Sequence, residues 1–272
     1  MNDSINQLRI AISNAGLTPP EEIIGDGGIH RFSSNGKTTN KNGWYILHLD
    51  GIAAGAFGDW REGFTQNWCS KSNKSMTVME RLEHGERIKA MQRQRENEIA
   101  KRQKSAASSA LQRWIAASPC KQHEYLIRKG IAPNGARIQG DKLLIAMRDT
   151  AGTVHSLQTI APDGNKMFMS GGRIKGCYFG IGKPKGALIV CEGFATGASI
   201  HECTGHAVAV AFNAGNLEAV AVALRIKYPD FKIIIAADDD HQTPSNPGLT
   251  KATAALKAAC ASLAVPVFKE AA

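Results

Sequence analysis

A chain of 272 residues with 43% hydrophobic content has enough apolar material for one large domain or two small ones, which excludes a fibrous or disordered polypeptide. No apolar run approaches the length of a bilayer span, and Met1-Asn2-Asp3-Ser4 lacks the basic-then-apolar pattern of a secretory leader, so the expected location is the cytoplasm, with no membrane partner. The formal charge of +9 points to polyanions, nucleic acid first, and six cysteines without a Cys-x-x-Cys pair fit reduced thiols rather than disulfides or a zinc ribbon.

In chain order, Ile5, Leu8, Ile10, Ile12 and Leu17 predict a short amphipathic helix that Pro19-Pro20 ends. A turn-rich, aromatic stretch follows to Cys69, with strands read at Gly43–Gly51 and Ala56–Trp60. Trp44, Tyr45 and Trp60 have two readings there: stacking of single-stranded bases, or the core of a small β module, which is the commoner use of such residues. Residues 76–117 hold no proline and one glycine, Gly85, among many Glu, Arg, Lys, Gln and Ala, predicting a long helix or a helix pair. Its bases, from Lys71 and Arg81 to Lys104, read either as a nucleic-acid surface or as a solvated face interleaved with Glu80, Glu83, Glu86, Glu96 and Glu98.

After Pro119 a short helix, Glu124–Lys129, should stop at Gly130, and an antiparallel meander follows: Lys142–Asp149, Val154–Ile160 and Lys166–Met169. From Gly186 strands alternate with helices, the signature of a parallel sheet. The strands are Ala187–Cys191, Ala207–Phe212, Lys232–Ala237 and Val265–Phe268, and the helices Ala195–Cys203, Leu217–Tyr228 and Thr250–Leu263. Two strands end in acid: Cys191 runs into Glu192-Gly193, and Ala237 into Asp238-Asp239-Asp240. Ligands of open α/β sheets bind at the carboxyl ends of the strands, so Glu192, Asp238 and Asp240 can converge there. Asp238 and Asp240, two apart on an extended end, point to one side, and hard carboxylate oxygens suit Mg²⁺ or Mn²⁺. The simpler alternative is a turn or cap cluster before the helix near Thr250, though a cap uses one acid rather than three and a distant Glu192. His201-x-Cys203-x-x-His206 has zinc-like spacing but falls where a helix should end.

The Glu192-Gly193 and Asp238-x-Asp240 pattern, with Gly248 beyond it, resembles the Toprim domain of bacterial-type primases, topoisomerases and some nucleases. The segment Leu144–Gly152 and Lys166-Met167-Phe168 resembles the lobe that precedes Toprim in bacterial replicative primases. Cys191–Gly197 with Asn213-Ala214-Gly215-Asn216-Leu217 is most similar to primases of plasmids, phages and integrated elements. The resemblance implies an α/β chain: a Toprim Rossmann-like parallel sheet (186–272), a mixed α+β primase-type lobe before it (119–185), a charged helical linker (76–118) and a small N-terminal β-rich module (1–75). It implies primer synthesis on a single-stranded DNA template from nucleoside triphosphates, with Mg²⁺ or Mn²⁺ at the catalytic acids Glu192, Asp238 and Asp240. Arg148, Lys166, Arg173, Lys175, Asn213 and Gly215 are the implied nucleotide- or DNA-binding positions. Related proteins often continue into a helicase, so a replicative helicase is an implied partner. The rival functions are a Toprim nuclease, which would lack the preceding lobe, and a DNA-binding accessory protein that no longer holds metal.

Overall fold

The computed structural model describes residues 2–71, 76–238, 243 and 246–266, which form two compact units, 1–100 and 101–272. In the first unit, helix α1 (Asn2–Asn14) precedes a four-stranded antiparallel sheet of β1 (His30–Phe32), β2 (Gly43–His48), β3 (Ala54–Asp59) and β4 (Phe64–Cys69), paired in chain order. Strand β2 is buried on both faces because alternate side chains meet different helices. Tyr45 and Leu47 pack with Leu8 and Ile12 of α1, while Trp44 and Ile46 pack with Ile88 and Met91 of the long helix α2 (Val78–Ala116). The guanidinium of Arg95 lies 4.8 Å from the Trp44 ring centroid and 5.4 Å from that of Trp60. At 1% and 2% exposure Trp44 and Tyr45 are core residues, which removes them as base-stacking platforms. Gly85 does not divide α2, a single helix of 39 residues.

The second unit contains the rest of α2 and two further sheets. One is an antiparallel meander of β5 (Ser118–Pro119), β6 (Arg137–Gln139), β7 (Lys142–Arg148), β8 (Val154–Ile160) and β9 (Lys166–Phe168), with α3 (Glu124–Lys129) inserted after β5. His123 caps α3 by accepting from the Tyr125 amide, and Gly130, at φ 63°, ends it in the left-handed geometry that favours glycine.

The other sheet has the order β10-β12-β11-β13-β14. Strands β11 (Ala187–Cys191), β12 (Ala207–Val210), β13 (Lys232–Ala236) and β14 (Ser262–Ala264) run parallel, and β10 (Phe179–Ile181) is an antiparallel edge strand. The sequence division at 185/186 leaves β10 with the preceding lobe, whereas its hydrogen bonds join it to β12. Each central strand is a nearly continuous apolar run because helices cover both faces. Ile189, Cys191, Val208 and Val210 pack toward α4 (Phe194–Thr204). Leu188, Val190, Ile233 and Ile235 pack with Leu217, Val220, Ala252 and Ala255 of α5 (Leu217–Lys227) and α6 (Pro247–Ala258). The α4 side shares one core with the meander, through residues such as Leu144, Ile145, Leu157, Phe179 and Phe194.

The end of the chain corrects the sequence reading. The helix expected to reach Leu263 stops at Ala258, and the last strand is Ser262–Ala264 rather than Val265–Phe268, whose final two residues lie outside the described ones. Arg225 of α5 explains the early stop: its Nε donates to Ala259 O at 3.0 Å and its Nη2 to Cys260 O at 3.3 Å. Cys260 takes φ +46°, the chain turns, and Leu263 pairs in register with Ile235.

Candidate active site

Two parallel neighbours, β11 and β13, end at the same sheet edge, with Val190 opposite Ile235. Glu192 follows the first immediately and Asp238 lies two residues beyond Ala236, so the sheet brings these two predicted acids together. The fully buried Cys191 thiol, one residue before Glu192 and packed toward α4, has its pKa pushed far up by burial first and then by the negative charges of Asp238 and Glu192. One carboxylate oxygen of Glu192 is shut off from solvent. Asp240 lies outside the described residues.

The adjoining strand β12 continues its pairing past its last residue. Ala211 N–H donates to Cys191 O at 2.8 Å and Phe212 N–H to Glu192 O at 2.7 Å. Phe212 does this in a left-handed conformation, φ +73°, that a bulky residue rarely adopts, and its ring meets Phe168 of β9 edge-on with centroids 6.3 Å apart. Gly197, in the second turn of α4, allows that helix to lie against the acid-bearing strand: an added Cβ would stand 2.7 Å from Val210 Cγ2 and 3.0 Å from Cys191 Sγ.

The predicted bases are not all in one place. Lys166 pairs with Ile160, which pairs with Leu143, so it shares a sheet face with Leu143; Arg148, five residues further along β7, is on the other face. Lys166 feels Asp238: burial first, then repulsion from Lys129, lower its pKa, and the attraction of Asp238 opposes them. Its residue surface keeps contact with solvent while its ammonium stands 5.9 Å from the Tyr125 ring centroid. Arg148 instead stacks on Trp114, at 5.3 Å, with Arg137 on the same ring at 4.9 Å. Arg173 donates to Asp149 at 3.3 Å, Lys175 is exposed in the same loop, Asn213 is half-buried, and Gly215 is exposed. In the basic segment before and within α2, Lys71 pairs with Glu80 at 2.7 Å, Arg87 with Asp50 at 3.1 Å and Lys89 with Glu86 at 2.9 Å, so part of it is a self-neutralised face.

Lys129, Phe212 and Asn216 adjoin the site without having been singled out for it. Lys129 carries no sequence signal beyond its charge. Phe212 is betrayed only by its backbone angle, and Asn216 by the small-residue run that contains it. His201 Nδ1 lies 2.7 Å from His206 O, a helix-ending tie, and no group of three or more potential His, Cys, Asp or Glu ligands is assembled among the described residues. The pair Glu192 and Asp238 nonetheless fits a hard divalent cation, which is commonly held by one or two carboxylates with water and phosphate completing its shell.

The Toprim domain model matches residues 187–271. A DNA primase TraC of Escherichia coli is 33% identical over 261 residues, covering 91% of this chain and 25% of the relative. A second Escherichia coli DNA primase TraC is 34% identical over 277 residues, covering 95% and 19%. The chain thus spans a quarter or less of these relatives' length. Among solved structures, the primase fragment of the bacteriophage T7 primase-helicase overlaps 56% of this chain and 67% of its own, at TM-score 0.43 and 17% identity. The DnaG primase catalytic domain bound to single-stranded DNA overlaps 63% and 73%, at TM-score 0.43 and 10% identity. Residues 187–271 therefore belong to the Toprim family, and the chain as a whole is a homologue of the matching portion of the TraC primases.

Proposed function

We propose that this chain is the catalytic region of a DNA primase, joining nucleoside triphosphates into short primers on single-stranded DNA. The observation that carries the reading is the meeting of Glu192 and Asp238 at one sheet edge, with Lys166 of the preceding lobe in electrostatic reach of Asp238. Glu192 and Asp238, with Asp240, would hold Mg²⁺ or Mn²⁺, which when bound neutralises triphosphate charge and polarises the bond to be broken. Lys166 binds the phosphates by charge. In the transfer, the 3′-oxygen of the primer end attacks the α-phosphorus, the α–β bridging bond breaks and pyrophosphate departs; the proton of the 3′-hydroxyl goes to Glu192 if that carboxylate is not in the metal shell, and otherwise to water. Template DNA, nucleotides, a replicative helicase as partner and a cytoplasmic setting belong to the same reading.

The test is incorporation of labelled nucleotides on single-stranded circular DNA with Mg²⁺ or Mn²⁺, comparing the parent with Asp238→Asn and Glu192→Gln. Short products lost in both variants support the primase. Metal-dependent nicking of the template without synthesis would replace it with the nuclease reading, and template binding without either reaction with an accessory protein.

A further inference from the structure

The amide of Asn216 is the most fully engaged side chain near the acids, and it is 3% exposed. Its Oδ1 accepts from Gly176 N–H at 2.8 Å, and its Nδ2 donates to Cys177 O and to Ala211 O, both at 2.9 Å. Two carbonyls on one side and an N–H on the other fix the orientation of the amide, since a flipped amide would set oxygen against oxygen. The partners lie at neighbouring strand ends, Ala211 just past β12 and Cys177 just before β10, the edge strand paired with β12. Ala211 is the residue whose N–H bonds Cys191 O, one position before Glu192. Cys177 precedes Tyr178, which exchanges hydrogen bonds of 2.8 and 3.0 Å with Arg148 at the end of β7. Gly176 closes the loop that carries Arg173 and Lys175, and its φ of +73° is one that only glycine adopts freely.

We propose that Asn216 is a positioning residue that latches the base-bearing loop Arg173–Gly176 to the strand end that presents Glu192, so that one triphosphate meets both. The proposal rests on the primase reading for its ligand. Two of the three Asn216 bonds go to Gly176 and the Cys177 that follows the loop, and one goes to the Ala211 carbonyl, whose peptide unit also carries the Phe212 N–H that donates to Glu192 O; that bond and the Ala211 N–H to Cys191 O are backbone bonds that remain without the amide. Loss of the amide therefore loosens the Gly176 end of the loop, although Arg173 still bonds Asp149, and leaves the two strand-end backbone bonds at Cys191 and Glu192 in place. Metal binding is kept and triphosphate binding is weakened.

The experiment is calorimetric titration of the chain with Mn²⁺ alone and with a nucleoside triphosphate in the presence of Mn²⁺. Asn216→Ala and Gly176→Ala, which disturb the junction from opposite sides, are compared with Val220→Ala, a fully buried position on α5 whose loss weakens the fold without touching the junction. The expected result is a triphosphate Kd raised about tenfold in the first two variants, the equivalent of one weakened charge-assisted contact, with the Mn²⁺ Kd unchanged. Val220→Ala should leave both constants at the parental value. Equal effects in all three variants, or a parental triphosphate Kd in Asn216→Ala, would overturn the latch, as would a parent that binds Mn²⁺ but no triphosphate. A parent that binds triphosphate and makes no primer would instead overturn the primase reading, and the ratio of Kd values would still decide the latch.

Discussion

Gly197→Ala sets two opposing effects against each other at the acid-bearing strand. In a helix interior alanine is favoured over glycine by about 1 kcal/mol. Against that, the new methyl would stand 2.7 Å from Val210 Cγ2, 3.0 Å from Cys191 Sγ and 3.3 Å from Val208 Cγ1. Val210 and Cys191 are fully buried and Val208 nearly so, so none of them can swing aside. Overpacking of this kind costs about 1–3 kcal/mol, and with three rigid neighbours the upper half of that range applies, leaving a net loss of about 1–2 kcal/mol. For a unit of this size each kcal/mol lowers Tm by about 2–4 °C, so the transition of the C-terminal unit should fall by roughly 2–8 °C in differential scanning calorimetry. Gly85→Ala, where an added Cβ meets nothing within 4 Å, should gain up to about 1 kcal/mol instead. A Gly197→Ala protein with a midpoint at or above the parent's would refute the argument that close helix–strand packing demands glycine there.

Lys166→Met should raise Tm while lowering triphosphate affinity, because burial and Lys129 disfavour the charged ammonium in the fold. With the folded pKa below the unfolded one, the penalty is full below the folded value, falls as pH rises past it and is gone only above the unfolded value, so the Tm gain of the variant should shrink toward alkaline pH. Burial raises the pKa of Asp149, but hydrogen bonds from His155, Thr153 and Ala151 outweigh it and hold the carboxyl below its usual value. This stability is present above the unfolded pKa and lost as pH falls through the folded one, so Asp149→Asn should cost more in urea unfolding at pH 7 than at pH 3. In native protein treated with a thiol reagent, Cys203 and Cys260 should react first, while the buried Cys120, Cys177 and Cys191 stay silent until unfolding; fast labelling of Cys191 by mass spectrometry would contradict its place in the core.

Periodicity and punctuation alone specify most elements of this chain. Apolar runs of strand length between small-residue helices require a parallel sheet with both faces covered, and the Glu192 and Asp238 strand ends follow from that topology because parallel neighbours end at one edge. Gly130 was readable as a helix stop for an equally local reason, the left-handed backbone that glycine alone takes without strain. Only the tertiary structure decided where α6 ends, since the carbonyls at Ala259 and Cys260 are claimed by Arg225, a residue 34 and 35 positions away. It likewise separated Arg148 from Lys166, because the face a strand residue occupies depends on pairing register as well as on its own alternation. The left-handed Phe212 and the amide of Asn216 have no local signature either, whereas Gly197 could be read as a close-packing glycine but not which strand it packs against. Each is fixed by contacts between segments distant in the chain, and such contacts exist only once the sheets have packed.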